Sequence, residues 1–441
     1  MDVFKKVVLP VEAGIREIEA MDLEALARAT GFQKRTQRKI DIRDLALGVL
    51  AVVAAGRLSF ERVAASIARR ARRSYSKQAL HKRMGASACG FLLEVFGRCL
   101  QPAMREAAHR GLFAPFRRVL IHDSTTLALP PRYAADFPGS TNQHGTFSQV
   151  KIQVVCNLLQ GRLEQTSFSG FTRNDQRAAP DILPLLRPGD LVIRDLGYFV
   201  LSVFAAIIQS GAFFLSRYHH QLNVFDPRTK RQIPLAKILR KQGFLDQSVC
   251  LGERARLPVR LVALPVPAAV ANQRRRQLRQ NRDRHLNPGQ VHFFLLGWNI
   301  FITNVTPDVW PMRDLPVLYR LRWRIETLFK AWKSHLALNE LSDQCLAMIY
   351  LSVVAKLIFF ALAYRTYHHL ETALAGPGRH ISFLRLAQLL SASSIRLEAA
   401  FVRLSPQRLL AQLIERHAFY EPRPDRPHFQ NLLLAVQNPL G

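Results

Sequence analysis

Three acids stand out by their surroundings. Asp123 follows the apolar run Val119-Leu120-Ile121, Asp195 follows Leu191-Val192-Ile193, and Glu326 sits in a basic stretch with helical spacing. An acid placed where a buried strand's apolar run stops faces a cleft rather than the core. Two such carboxylates from neighbouring strands, with a third from a packed helix, can hold two divalent cations. Mg²⁺ prefers hard oxygen ligands, and two ions about 3.5–4 Å apart stabilise both the attacking and the leaving oxygen of a phosphoryl displacement. Taken singly, an Asp at a strand end fits a loop cap or a surface ion pair equally well.

The charge balance favours the first reading. The 441 residues include 62 Lys+Arg and 32 Asp+Glu, a formal charge of +30. That excess argues against an ordinary metabolic enzyme and for a polyanionic partner, since Lys and Arg that neutralise phosphates release condensed counterions. The 49% hydrophobic fraction excludes global disorder. A basic, foldable chain with a three-acid cluster points to an enzyme that cuts phosphodiesters. The five cysteines are widely spaced and show no zinc pattern, which suits a reducing cytosol. Met1 to Gly14 has no secretory apolar region. Leu346 to Tyr364 is apolar enough to imitate a membrane span, but Ser352 and Lys356 interrupt it, and a buried core helix is the better reading.

The elements that must position these acids fall into five segments. Residues 1–115 read as a helical DNA-binding domain. Asp22, Asp41 and Ser59 are helix caps there, and Gly31, Gly56 and Gly85 are stops. Between Arg57 and Arg83 stand nine Lys/Arg and one acid, Glu61, on two helices joined by a tight turn. As a helix-turn-helix, this pair would bring Lys77, Gln78, His81 and Lys82 to base edges or phosphates; as a small bundle, it would show only a solvated basic face. Residues 116–217 read as three antiparallel-type strands (the first Val119 to Asp123, then Val150 to Leu158 and Arg162 to Phe168), a helix ending at Leu186, the strand ending at Asp195, a helix from Tyr198 to Gln209 and the strand Ala212 to Ser216. Residues 218–303 form a β-rich insertion with strand-like pieces at Val259–Ala263, Val291–Leu296 and Asn299–Thr303. Its arginine run, Arg274 to Arg284, is either a DNA clamp or a solvated loop. Residues 304–364 contain a long helix, Arg313 to His335, and 365–441 are mainly helical.

On that long helix, at about 100° per residue, Tyr319, Arg322, Glu326 and Lys333 fall on one stripe. A tyrosine, two cations and an acid do not make a core stripe. The cations could hold phosphates on either side of the acid, or the face could be a solvated one with an Arg322–Glu326 pair. The run Tyr319 to Lys333 reads Y-x₂-R-x₃-E-x₆-K without a gap. It resembles the signature of bacterial insertion-sequence transposases of the type-four family, which carry a DDE catalytic domain. Ile121-His122-Asp123-Ser124-Thr125 and Arg194-Asp195-Leu196-Gly197-Tyr198-Phe199 are similar to that family's first and second acid motifs. The resemblance spans about Arg117 to Ala363, with the motifs in order. The gaps, 195 − 123 = 72 and 326 − 195 = 131 residues, leave room for an insertion in the longer one.

The resemblance implies an α/β, ribonuclease-H-like catalytic domain interrupted by a β-rich insertion and flanked by helical N- and C-terminal regions. It implies that Asp123, Asp195 and Glu326 are catalytic and ligate two Mg²⁺ ions, with Mn²⁺ a substitute. Tyr319, Arg322 and Lys333 would hold phosphates of the element's end, with Arg324 and Lys330 on the same helix as further DNA contacts. The implied reaction is hydrolysis at the 3′ end, a hairpin, its opening and strand transfer. The implied partners are double-stranded DNA (terminal inverted repeats and target) and a second copy of the chain, with no membrane, in a bacterial cytoplasm at the nucleoid. The competing readings are a catalytically inactive or domesticated DNA-binding relative, and a general nuclease of the same fold. His122 reads as packing or as an acid–base group, Lys151 as a possible DNA contact, Asn174-Asp175 as a turn, Trp323 and Trp332 as core or base-stacking residues, and Trp298 as a base contact.

Overall fold

The computed structural model describes residues 18, 20–34, 41–54, 58–71, 75–100, 111–142, 145–159, 162–280, 289–322, 326, 348–358, 367, 370, 380–382, 385–386 and 419–420. It is a mixed α/β protein built on one large sheet.

Five helices come first: α1 (Leu23–Ala29), α2 (Ile42–Ala54), α3 (Phe60–Ala71), α4 (Lys77–Arg83) and α5 (Ala86–Leu100). Of the expected caps, Ser59 stands just before α3. Asp22 accepts from the Ala25 amide and Asp41 from those of Arg43 and Asp44, and Ser76, which the sequence did not single out, accepts from that of Ala79. Each satisfies a donor that the first helical turn leaves without a partner. Gly31 takes φ +69° just after α1, a conformation open to glycine at little cost.

The strands of the large sheet are β1 (Val119–Leu129), β2 (Pro138–Asn142), β3 (Gly145–Asn157), β4 (Arg162–Gly170), β5 (Leu191–Arg194), β6 (Phe213–Arg217), β7 (Val224–Phe225), β8 (Leu245–Leu251), β9 (Leu257–Pro265) and β10 (Trp298–Thr303); His380–Ile381 and Phe419–Tyr420 pair separately. Their order is β2-β3-β1-β5-β6-β10-β9-β8-β7, with β4 also paired to β3. β1 runs antiparallel to β3 and parallel to β5, and β5 runs parallel to β6. The parallel step from β5 to β6 is made by helix α7 (Leu201–Gln209), which buries Val203, Phe204 and Ile207. The sheet is covered on both faces. Val119 and Ile121 enter one core with the N-terminal helices and residues 348–358, whereas Leu120 enters the other with α7. β5 is accordingly buried at every position.

Several expectations change. β1 does not end at Asp123 but runs to Leu129, because Thr125, Leu127 and Leu129 continue the inward alternation. The helix expected to end at Leu186 is one turn, α6 (Asp175–Ala178), followed by a 3₁₀ stretch, Ala179–Leu185; Pro180 and Pro184 each lack the amide an α-helix needs. α7 starts at Leu201, after a 3₁₀ turn at Leu196–Tyr198. The strands of 218–303 extend the main sheet through β10 and β9 instead of forming a separate one. That segment also holds helices α8 (Leu235–Gln242), α9 (Ala268–Gln280) and α10 (Gln290–Leu295). α10 replaces the strand expected at Val291–Leu296; both edges of β10 are already taken by β6 and β9. The long helix is described only as α11 (Leu315–Arg320), followed by a turn at Leu321 and Arg322 and a helical Glu326. The rest of the expected helix lies outside the described residues. Residues 348–358 are helical and almost wholly buried, which agrees with a core helix. Among the described residues no helix is long and apolar enough to cross a membrane.

Candidate active site

The parallel register of β1 and β5 ends at His122 opposite Arg194. Asp123 and Asp195 are the next residues, so the two acids stand at one level just past the parallel pairing, at the end where open parallel sheets bind ligands. The third acid arrives from the chain after α11. Arg322 donates Nη1 to Asp123 Oδ2 at 3.0 Å and Nη2 to Glu326 Oε1 at 2.8 Å. The Tyr319 hydroxyl donates to Asp195 Oδ1 at 3.1 Å. Tyr319 and Arg322 of the Y-R-E-K pattern therefore each meet one of the two aspartates, and Arg322 ties Glu326 to Asp123. Tyr319 is held in place by the Phe301 ring, 5.4 Å away on β10.

The electrostatics follow from burial. Asp123 is pushed up to about 6, chiefly by loss of water; Arg322 and the Ser124 amide oppose the rise, and the charges of Asp195 and Glu326 add to it. Burial and the nearby Asp195 raise the Tyr319 phenol, which keeps it a neutral donor. Burial works to lower Arg322, but Asp195, Tyr319, Asp123 and Glu326 outweigh it and hold the guanidinium firmly charged. Three carboxylates and no sulfur or imidazole make a hard-oxygen donor set, which fits Mg²⁺ or Mn²⁺ by ligand type. Among the described residues, no group of three His, Cys, Asp or Glu side chains closes on one ion. Here the Arg322 guanidinium supplies the positive charge between two of the acids.

Behind the aspartates lies a polar layer. Asp175 Oδ1 accepts from Ser124 Oγ at 2.8 Å, Lys151 Nζ at 3.0 Å and Gln153 Nε2 at 3.3 Å. Gln153 Oε1 accepts from the Tyr198 hydroxyl. His122 is fully buried, with its ring 4.3 Å from that of Tyr198 and Nδ1 3.0 Å from Arg194 Nη2. Burial, then Arg194, drive its pKa well below the ordinary value, so it packs as a neutral ring. Asn174 caps α6, as a turn residue should, by accepting from the Arg177 amide.

The other residues singled out by sequence divide three ways. Lys77, Gln78 and Lys82 are exposed on α4, whose inner side is Leu80. Lys151 is buried on Asp175 and Trp298 is buried beside Phe294, so neither faces solvent as a DNA contact would. Of the arginine run, Arg274 donates to the carbonyls of Leu296 and Trp298 and to Asn299 Oδ1, and Arg275 donates to the Phe293 carbonyl; both fasten α9 to α10 and β10. Lys333, Arg324, Lys330, Trp323 and Trp332 lie outside the described residues. Sequence reasoning missed Asp175, Gln153 and Tyr198. The Gly197-Tyr198 pair within the second motif was the available signal for Tyr198; Asp175 had none, because its partners are remote in sequence.

A family model for the transposase DDE domain matches residues 114–358. The transposase for insertion sequence element IS231F of Bacillus thuringiensis subsp. israelensis is 29% identical over 349 residues, covering 74% of this chain and 72% of that protein. The transposase for IS1151 of Clostridium perfringens is 25% identical over 308 residues, covering 64% and 65%. A solved piggyBac transposase synaptic complex with hairpin DNA aligns at a TM-score of 0.40 and 12% identity over 97% of this chain and 87% of that one, a likeness too slight to build on.

Proposed function

This chain belongs to the DDE-domain transposases, enzymes that cut and join DNA strands, and on that footing we propose that Asp123, Asp195 and Glu326 are its catalytic acids. The observation that carries this is the convergence of Tyr319 on Asp195 and of Arg322 on both Asp123 and Glu326. We read the core as ribonuclease-H-like, with 218–303 as its insertion. The order β4-β3-β1-β5-β6 supports that reading, with β3 alone antiparallel to its neighbours.

The three acids would hold two Mg²⁺ ions, or Mn²⁺ in their place. Bound there, the ions would supply Lewis-acid stabilisation of the oxygens at phosphorus. The chain's own groups do the rest. Asp123 and Asp195 hold negative charge on one rim of the cleft. Tyr319 stays protonated and donates. Arg322, released from carboxylates to phosphate, neutralises the DNA backbone with a two-pronged donor. Lys333, Arg324 and Lys330 continue the basic helix along the element's end, and Lys77, Gln78 and Lys82 read DNA from the N-terminal domain. The reaction is hydrolysis at the 3′ end, attack of that 3′-OH on the opposite strand to form a hairpin, hydrolytic opening and strand transfer. Two ends must be joined, so a homodimer bridges them, at the nucleoid of a bacterial cytoplasm.

The test is cleavage of terminal-inverted-repeat DNA with Mg²⁺ by wild type and Glu326→Gln. Wild type cuts, and the variant binds DNA with its cutting rate reduced roughly 10²–10³-fold, as expected when a group acting at the reacting phosphate is lost. Equal cutting by the two refutes the site. Cleavage of unrelated DNA at the same rate and salt would favour a general nuclease instead.

A further inference from the structure

One acid beside the site has no part in that scheme. Asp175 gathers a hydroxyl, an ammonium and an amide on Oδ1. Its Oδ2 lies where a Cβ at position 197 would come within 3.2 Å, so Gly197 is the residue that lets the carboxylate seat. One carboxylate thus bonds the residue after Asp123 and packs over the side-chain-free position two beyond Asp195. The contact with the first passes straight on: Ser124, held through its hydroxyl, donates its own amide to Asp123 Oδ1 at 2.8 Å. On the other side Gly197 sits in the 3₁₀ turn whose Tyr198 amide is donated to the Asp195 carbonyl at 3.1 Å.

We propose that Asp175 is a positioning residue for DNA cleavage, clamping the backbone behind Asp123 and Asp195 so that both carboxylates address one point. The inference rests on the reading of those two as catalytic acids. Its charge is needed because Lys151, only 6% exposed, must have an anion, and a charged acceptor holds the Ser124 hydroxyl more tightly than water would. Groups that orient acids in this way are worth roughly 10–100-fold in metal affinity or rate when removed. The clamp acts on the geometry of the acids and makes no contact with DNA, so affinity for DNA is untouched.

Two variants of the full-length protein test it. Ser124→Ala cuts the link to Asp123 and leaves the Lys151–Asp175 pair. Asp175→Ala with Lys151→Met removes both charges together, so that no ion is stranded. Four readings are taken: thermal midpoint, end-DNA affinity, Mn²⁺ affinity by electron paramagnetic resonance, and single-turnover cleavage at saturating DNA. Both variants are expected to bind DNA within about twofold of wild type, yet to bind Mn²⁺ more weakly and cut more slowly by roughly 10–100-fold. A folded variant with unchanged Mn²⁺ affinity and unchanged rate overturns the proposal. Should the double variant fail to fold, Ser124→Ala decides alone. Wild type that binds Mn²⁺ but cuts no end DNA would sink the catalytic reading, and the Mn²⁺ comparison would still decide the clamp.

Discussion

Replacing Asp123 with Asn should stabilise the metal-free protein at neutral pH while destroying its cleavage. Burial raises this carboxyl from the ordinary 3.8 to about 6, and its side chain is only 16% exposed. The difference is about two units, which at 1.36 kcal/mol each amounts to about 3 kcal/mol. Because the folded form holds the proton more tightly than the unfolded one, that stability is fully present below pH ~4 and is lost as pH rises through about 6. Asn carries no charge and escapes the loss, while Arg322 keeps Glu326 as its partner. Urea unfolding of both proteins in chelator, at pH 4.5 and at pH 8, gives the comparison. The variant should gain about 2–3 kcal/mol on wild type between those two pH values. Added Mg²⁺ at pH 8 should then raise wild type and close the gap, leaving the variant unmoved. Parallel pH profiles, with a constant gap, would refute the idea that this acid is held ionised against its surroundings.

Two further outcomes are expected. Arg260 donates twice to Asp246, at 2.7 and 2.6 Å, and also to the Trp310 carbonyl; Arg260→Met should cost about 3–5 kcal/mol in unfolding free energy, since it strands a part-buried acid and a buried carbonyl. Lys82→Ala, on the exposed side of α4, should leave stability within about 0.5 kcal/mol and lower the slope of log affinity against log salt for end DNA by about 0.9. An unchanged slope would remove Lys82 from the interface.

The two aspartates were legible because each follows three apolar residues in a row, and a parallel pair of buried strands brings its ends to one level. The caps at Asp22 and Asp41 were legible for a local reason, each acting within three residues. What escaped depends on partners far along the chain. The apolar run around Phe293 and Phe294 suits either a strand or a helix, and only the occupied edges of β10 decide between them. Asp175 reads as a turn residue because its neighbours make a turn; its partner Ser124 is 51 positions away. Lys151 looks like a DNA contact until the fold brings that acid against it.

The pleat of β1 has a consequence for how this site can vary. Leu120 and Ile121 point into different cores, and Asp123 and Ser124 inherit those opposite directions. A slip of one residue would exchange the cores' contents and turn Asp123 away from Arg322 at the same time. Mistaken pairing is therefore opposed by misfit in two cores at once, each packed with side chains of its own shape. The aim of Asp123 is thus guarded in part by residues that never touch it.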